Sequence, residues 1–328
     1  MIKQEYFQTM KEICQEADKI IRPYLEGIVE DAKILPESRL GKGRLRDLAI
    51  RLGYEISGGK DWKEVVPICA SFELLNCSTY VINWIFDQKG GPKTNGEINN
   101  LIIGGFQLRE IAEQVLREKG LEGITSSIDK INKAVYEGQN LDLNVLTLKN
   151  YGAFSSFSKF SDIYEKRCGG LCGEFFAQGL LVGSKVSGNE NPILYEVGEI
   201  LGSGLQASND LGDFALPDEP ISVSEKPYKD QLSDLRRGKL TLPIYLLAEK
   251  LGIDNEVLTG EFPEETVRLL HSTGSFERCL SYLKTKKQKA KKKLYEVFEK
   301  SDSRDLLASA FVILTSNKFV TSLKNDRG

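Results

Sequence analysis

The run from Trp62 to Gln88 constrains this chain most, because its centre, VVPICASFELLNCSTYVINWIF, is nearly apolar throughout. A helix without a polar face has to be buried on most of its sides. Other helices must then surround it, and the sequence supplies them. Ile13, Ile20, Ile21 and Leu25 recur at helical spacing in a first helix over 3–29. Further helices are expected over 43–55, 97–118, 124–137, 143–149, 159–183, 191–214, 230–251, 263–270, 274–299 and 302–323. Alternating strand-type runs bounded by turn dipeptides are scarce. Breaks fall at Gly58-Gly59, Gly90-Gly91-Pro92, Gly188-Asn189 and from Pro217 to Pro227, without a long linker or an obvious repeat. The pattern predicts one all-α domain over 1–328, a large helical bundle with a central cavity.

A formal net charge of -3 argues against a general nucleic-acid role, which calls for a basic surface. The start, MIKQEYFQTMKEICQEADKI, is charged and amphipathic, unlike a signal peptide. No run reaches the roughly 18 apolar residues of a membrane span. Six cysteines, at 14, 69, 77, 168, 172 and 279, form no Cys-x-x-Cys pair, and His271 is the one histidine, so a structural zinc site is not expected. Scattered thiols read as buried small apolar residues in a soluble protein of the reducing cytoplasm. The basic stretch KTKKQKAKKKL, 284–294, reads as a solvated helix face or as an attraction for an anionic substrate or surface.

Polar groups within apolar helices are costly unless paired or metal-bound. Two of the apolar helices end in such groups. One ends Asn83-Trp84-Ile85-Phe86-Asp87, with Asn83 and Asp87 on one face. The other ends with Gln206 and Asn209-Asp210-Leu211-Gly212-Asp213, with Asn209 and Asp213 on one face. Facing each other across a cavity, these ends could offer Mg²⁺ the carboxylate and amide oxygens it takes, with water and substrate phosphate completing its shell. Read alone, either set could be polar capping at a helix end. A third segment then places Lys229, Asp234 and Lys239 shortly after the second set, and ammonium groups are natural partners of diphosphate oxygens.

This order of segments resembles the trans-isoprenyl diphosphate synthases, the polyprenyl synthetases. Gln206, Asn209, Asp210 and Asp213 match that family's second aspartate-rich motif; Lys229, Asp234, Lys239, Thr241 and Pro243 match its late Lys…Asp-x-x-x-x-Lys-x-Thr-x-Pro segment. The resemblance covers roughly 35–250. The first motif departs from the pattern, with Asn83 and Trp84 where the family has two aspartates, and the second motif opens with Asn209. Arg167-Cys168 stands for the Lys-Thr pair, Gly41-Lys42-Gly43-Arg44-Leu45-Arg46 for the early basic motif, and Asn76 for a His or Gln. Lys93 is what remains of an arginine pair.

The resemblance implies Mg²⁺ held by Asn83, Asp87, Asn209, Asp210 and Asp213, and an allylic isoprenyl diphosphate held by Arg167, Gln206, Lys229 and Lys239. It implies isopentenyl diphosphate bound by Lys42, Arg44, Arg46, Asn76 and Lys93. Loss of diphosphate would give an allylic cation, attacked by the double bond of isopentenyl diphosphate or a related acceptor. No protein nucleophile is required. The departures keep two other readings open: a non-catalytic or regulatory subunit of a heteromeric synthase, and a terpene-synthase-like cyclase or diphosphate lyase. A homodimer, or a heterodimer with a homologue, is the expected assembly.

Overall fold

The computed structural model describes residues 2–87, 93–215, 232–253, 256–259 and 261–315. Among these residues the chain is helical with no strand, and an isolated bridge pairs Thr147 with Lys239. The all-α expectation holds.

The helices end where local chemistry ends them. Helix α1 (Ile2–Ile21) stops before Pro23, which has no N–H to continue the ladder, and the chain goes on as a 3₁₀ turn, Arg22–Gly27. The first helix is therefore shorter than expected. Helix α2 (Glu30–Arg39), with Pro36 inside it, was not expected at all. Helix α3 (Leu45–Ile56) follows. Helix α4 (Val66–Phe86) opens with Pro67 in its first turn, where a missing N–H costs nothing. Thr94 and Glu97 form a capping box that starts α5 (Asn95–Glu118).

Helix α6 (Thr125–Asn140) runs into a π-turn, Leu141–Val145, and then a 3₁₀ turn, Leu148–Ala153, where a helix over 143–149 was expected. Helix α7 (Phe157–Cys168), a second π-turn (Gly169–Gly173) and α8 (Glu174–Val186) together make up the long segment expected over 159–183. Helix α9 (Pro192–Gly212) matches its expectation closely. The helix expected over 230–251 is instead α10 (Ser233–Arg236) and α11 (Leu242–Leu251), because Gly238 takes φ +70° and Pro243 restarts the helix. Helices α12 (Pro263–Ser272), α13 (Ser275–Val297) and α14 (Asp302–Ala310) follow, and a 3₁₀ turn, Phe311–Thr315, ends the described chain.

The chain divides into two compact units. The first comprises 1–132, 175–195 and 300–307, the second 133–174, 196–299 and 308–328. In the first, α4 packs against α1, α2, α3 and α5, and nearly every residue from Val66 to Ser78 is buried. The stretch Trp62–Phe86 is long and apolar enough to cross a membrane by composition, which corrects the expectation that none reaches that length. Most of it is buried inside the protein, as a core helix is. In the second unit a core of Phe160, Tyr164, Leu211, Phe214, Tyr245 and their neighbours is shared by α7, α9, α11 and α13. All six cysteines are buried, and none of them is joined in a disulfide.

Candidate functional site

In the second unit the charged residues converge on Arg167, in the last turn of α7 and 2% exposed. Its Nε donates to Asp142 Oδ1 at 2.7 Å, and its Nη1 to Asp210 Oδ2 at 2.5 Å. Lys239 Nζ lies 2.6 Å from Asp142 Oδ2 and 3.5 Å from Asp234 Oδ1, and Arg237 donates to the same Asp234 oxygen at 2.6 Å. Asp210 takes two more donors: Tyr164 Oη at 2.6 Å on Oδ2 and Gln206 Nε2 at 3.0 Å on Oδ1. A chain of ion pairs therefore joins Lys239, Asp142, Arg167 and Asp210, and both oxygens of Asp210 accept from protein donors.

Backbone packing sets this geometry. The π-turn after Arg167 lies against α6 and α9 through glycines. A Cβ on Gly170 would fall 2.4 Å from the Ala134 carbonyl, and one on Gly202 2.5 Å from the Cys172 carbonyl. Such close approach brings the end of α6, with Asp142 just beyond it, and the inner face of α9 to the two sides of Arg167. Lys239 is positioned by the extended segment after Gly238. There Leu240 N donates to Leu146 O at 2.8 Å and Leu148 N to Gly238 O at 2.7 Å.

Burial works to raise the Asp142 carboxyl, but Arg167 and Lys239 outweigh it and hold Asp142 below the usual carboxylate range. Burial is likewise outweighed at Asp234 by Lys239, Arg167 and Arg237. At Asp210 burial wins and the pKa rises, despite Arg167. Tyr164, wholly buried beside Asp210, is pushed well above the ordinary phenol value.

The early basic motif lies in the first unit and makes a second buried cluster. Arg44 donates to Asp47 Oδ2 at 2.7 Å, to Asp18 Oδ1 at 2.5 Å and to the Cys14 carbonyl at 3.1 Å. Glu73 pairs with Arg39 and lies 4.0 Å from Arg44. Asn76 donates to Glu73 Oε2 at 3.4 Å. Arg44 and Asn76 are thus brought together, around carboxylates of the protein itself. Arg46 lies over the rings of Phe175 and Phe176, 5.0 and 5.5 Å from their centroids, and Lys42 is exposed. Lys93 is half-buried just ahead of α5.

Asn83 and Asp87 are half-buried at the C-terminal end of α4, with Asp87 as its C-cap. On α9, Asn209 is exposed; Asp213, just past the helix end, is half-buried. Lys229 lies outside the described residues. Among the described residues no group of three or more His, Cys, Asp or Glu side chains is placed to hold a metal ion. Mg²⁺ does not require one: it keeps several waters and takes one or two carboxylates with substrate phosphate. The amide and carboxylate oxygens of Asn209 and Asp213, and of Asn83 and Asp87, are donors of that kind. Asp210 is the exception in this donor set, since its oxygens already face a guanidinium, a phenol and an amide N–H. Two open clefts in the second unit, of about 410 and 330 Å³, are lined by none of these residues.

Sequence reasoning missed Asp142, Tyr164, Asp18, Asp47 and Glu73. Two of them carried a signal. Asp142 is flanked by leucines in NLDLNVL, and Glu73 interrupts ICASFELLNCS, the apolar centre of α4. A lone acid in an apolar run needs a buried cation.

No family model and no curated protein matches the sequence. Solved structures do match. Geranylgeranyl pyrophosphate synthetase from Pyrococcus horikoshii Ot3 aligns with a TM-score of 0.77 at 22% identity, over 95% of this chain and 98% of its own. Polyprenyl synthase from Caulobacter crescentus CB15, complexed with calcium and isoprenyl diphosphate, aligns at 0.73 and 17%, over 96% of each chain. Geranylgeranyl pyrophosphate synthase from Corynebacterium glutamicum, complexed with isoprenyl diphosphate and magnesium, aligns at 0.74 and 18%, over 93% of this chain and 99% of its own. At such identities a likeness speaks for the fold, and the chain has the all-α fold of the trans-isoprenyl diphosphate synthases.

Proposed function

We propose that this chain is a Mg²⁺-dependent prenyltransferase that takes an allylic isoprenyl diphosphate and joins it to isopentenyl diphosphate or a related acceptor. The observation that carries this reading is the buried cluster of Arg167, Gln206, Asp210 and Lys239 beside Asn209 and Asp213. Gln206, Asn209, Asp210, Asp213 and Lys239 also carry the most specific sequence matches, and Arg167 stands in for a family Lys. The divalent ions and isoprenyl diphosphate bound to two proteins of the same fold are consistent with it.

Asn209 and Asp213 would hold Mg²⁺, as would Asn83 and Asp87. When bound, the ion supplies positive charge to a departing diphosphate. Lys239, held by Asp142 and Asp234, places ammonium charge for the same purpose, a preorganised stabilisation, and Lys229 would add a second ammonium group. Arg167 is too deeply buried for substrate contact. It fixes Asp142, and through it Lys239, while Asp210 fixes Gln206. Lys42, Arg46 and Lys93 would supply positive charge to the second diphosphate, next to Arg44 and Asn76, which Asp18, Asp47 and Glu73 hold in place. The reading places the protein in the cytoplasm as a homodimer or a heterodimer with a homologue.

The test is incubation of the purified chain with Mg²⁺ and geranyl, farnesyl or geranylgeranyl diphosphate, with and without isopentenyl diphosphate. An elongated product is expected, and hydrocarbon or alcohol without elongation would replace the transferase by a lyase. One observation favours a second reading, a non-catalytic subunit of a heteromeric synthase: Asp210, the second-motif aspartate that this sequence retains beside Asn209, is wholly engaged by protein donors. Diphosphate release only after mixing with a homologue carrying intact aspartate motifs would establish it.

A further inference from the structure

Helix α13 carries seven lysines between 284 and 293, and the structure sorts them into rows with different fates. Lys286 Nζ reaches Glu165 at 2.6 Å and Ser203 at 3.1 Å, and Lys293 pairs with Glu196. That row ties α13 to α7 and α9. Lys284, Lys287 and Lys291 form another row, at helical positions i, i+3 and i+7, the first exposed and the other two with half-buried stems, and among the described residues none of them meets an acid within ion-pair distance. The stripe continues one turn on to Tyr295, 47% exposed, with Val297 also exposed nearby. Burial of its stem lowers the Lys287 pKa first, and the neighbouring charge of Lys291 adds to the shift.

An uncompensated row of cations is unfavourable by itself, and the chain as a whole is acidic, with a net charge of -3. The row suits a surface that is flat, anionic and able to receive an aromatic ring at its edge. We propose that Lys284, Lys287 and Lys291, with Tyr295, dock this protein on an anionic lipid surface. Lysine stems lie along such an interface while their ammonium groups meet headgroup phosphates, and an exposed tyrosine favours the same depth. A single-stranded nucleic acid fits less well, since it wants several stacking rings along a continuous basic track and this row offers one. The proposal does not depend on the chain having prenyltransferase activity.

The test is co-sedimentation of the full chain with phosphatidylcholine vesicles, with and without phosphatidylglycerol. Binding only to the anionic vesicles, lost at high salt, is expected. Each lysine near such a surface contributes about fivefold in partitioning, so the triple change to Gln at 284, 287 and 291 should weaken binding roughly 100-fold. The same triple change at Lys11, Lys60 and Lys63, exposed lysines of the first unit, alters net charge equally and should leave most of the binding intact. Thermal unfolding of both variants confirms that they are folded; if the α13 triple is not, the single changes are used, each expected to lose about fivefold. No binding to anionic vesicles, equal losses from the two triples, or displacement of the vesicles by a single-stranded RNA oligonucleotide would overturn the proposal.

Discussion

Arg44 and Arg167 are both almost wholly buried among carboxylates, one in each unit, but the charge around them differs. Asp18, Asp47 and Glu73 surround Arg44, with Arg39 as the second cation, so acids exceed bases. Around Arg167, the acids Asp142, Asp210 and Asp234 are balanced by Arg167, Lys239 and Arg237. The consequence is chemical. Burial, with Glu73 nearby, raises the Asp47 carboxyl to about 6, although Arg44 opposes the shift, and among the described residues Asp47 Oδ1 meets no hydrogen-bond donor. Asp142 and Asp234, in the balanced cluster, are held low. Both clusters coincide with diphosphate motifs of the resemblance, yet the excess acid of the first raises Asp47 so that it takes a proton near pH 6, while the second holds Asp142 and Asp234 low with a chain of cations and leaves Asp210 as its raised carboxyl.

The largest effect should come from removing a central cation. Arg167→Met leaves Asp142 and Asp210 buried without their shared partner and should cost about 3–5 kcal/mol in denaturant unfolding at neutral pH. Arg44→Met should cost a comparable amount there, but more of its deficit should be recovered as pH falls toward 5, since Asp47 takes up a proton near 6, whereas around Arg167 Asp142 and Asp234 are held low. Equal pH dependence in the two variants would break the distinction between the clusters.

Next in size is the glycine seam that sets Arg167 in place. Gly170→Ala puts a Cβ against the Ala134 carbonyl and should cost about 1–3 kcal/mol by the same measurement.

The pH profile of the unchanged protein follows in size, and its sign is set by the direction of each shift. Asp47 binds its proton more tightly folded than unfolded, so its contribution favours the folded state at low pH and is lost as pH rises from about 4 to about 6. Asp210 shifts in the same direction. Asp142 and Asp234 act oppositely: they stabilise the fold above the ordinary aspartate range, and that contribution is lost as pH falls through their lowered values. Asp47→Asn should flatten the profile of unfolding free energy between pH 4 and 6, and an unchanged slope would contradict the proton assigned to the first cluster. The smallest effect is expected from Tyr164→Phe, which takes one of three donors from Asp210 and should cost about 1–2 kcal/mol.

Much of the fold was legible because its signals are local. The apolar centre of α4 and the apolar run of α9 each announce a helix in their own residues. Breaks that depend on distant partners were harder to see. The helix expected over 230–251 gives way at Gly238, and the segment that follows is pinned by Leu146 and Leu148, far away in sequence. The candidate site divides in the same manner. Gln206, Asp210 and Lys239 lie at recognisable spacing, with Arg167 legible as a substitute for a family Lys. Asp142, which joins two of them, sits in a π-turn that no periodicity foretells, and only its setting between leucines hints at a buried cation. Arg44 was legible as a basic residue of a motif, but not as the partner of Asp18 and Asp47, because ion pairing across helices leaves no pattern within either one.

The central claim is that the second motif binds an allylic diphosphate through a divalent ion held by Asp213. Calorimetric titration of the purified chain with geranylgeranyl diphosphate tests it most directly. The account predicts binding that requires Mg²⁺, and loss of that requirement together with most of the affinity in the Asp213→Ala, Asp87→Ala double variant. Binding of equal strength without Mg²⁺, or Mg²⁺-dependent binding that survives both substitutions, would contradict it.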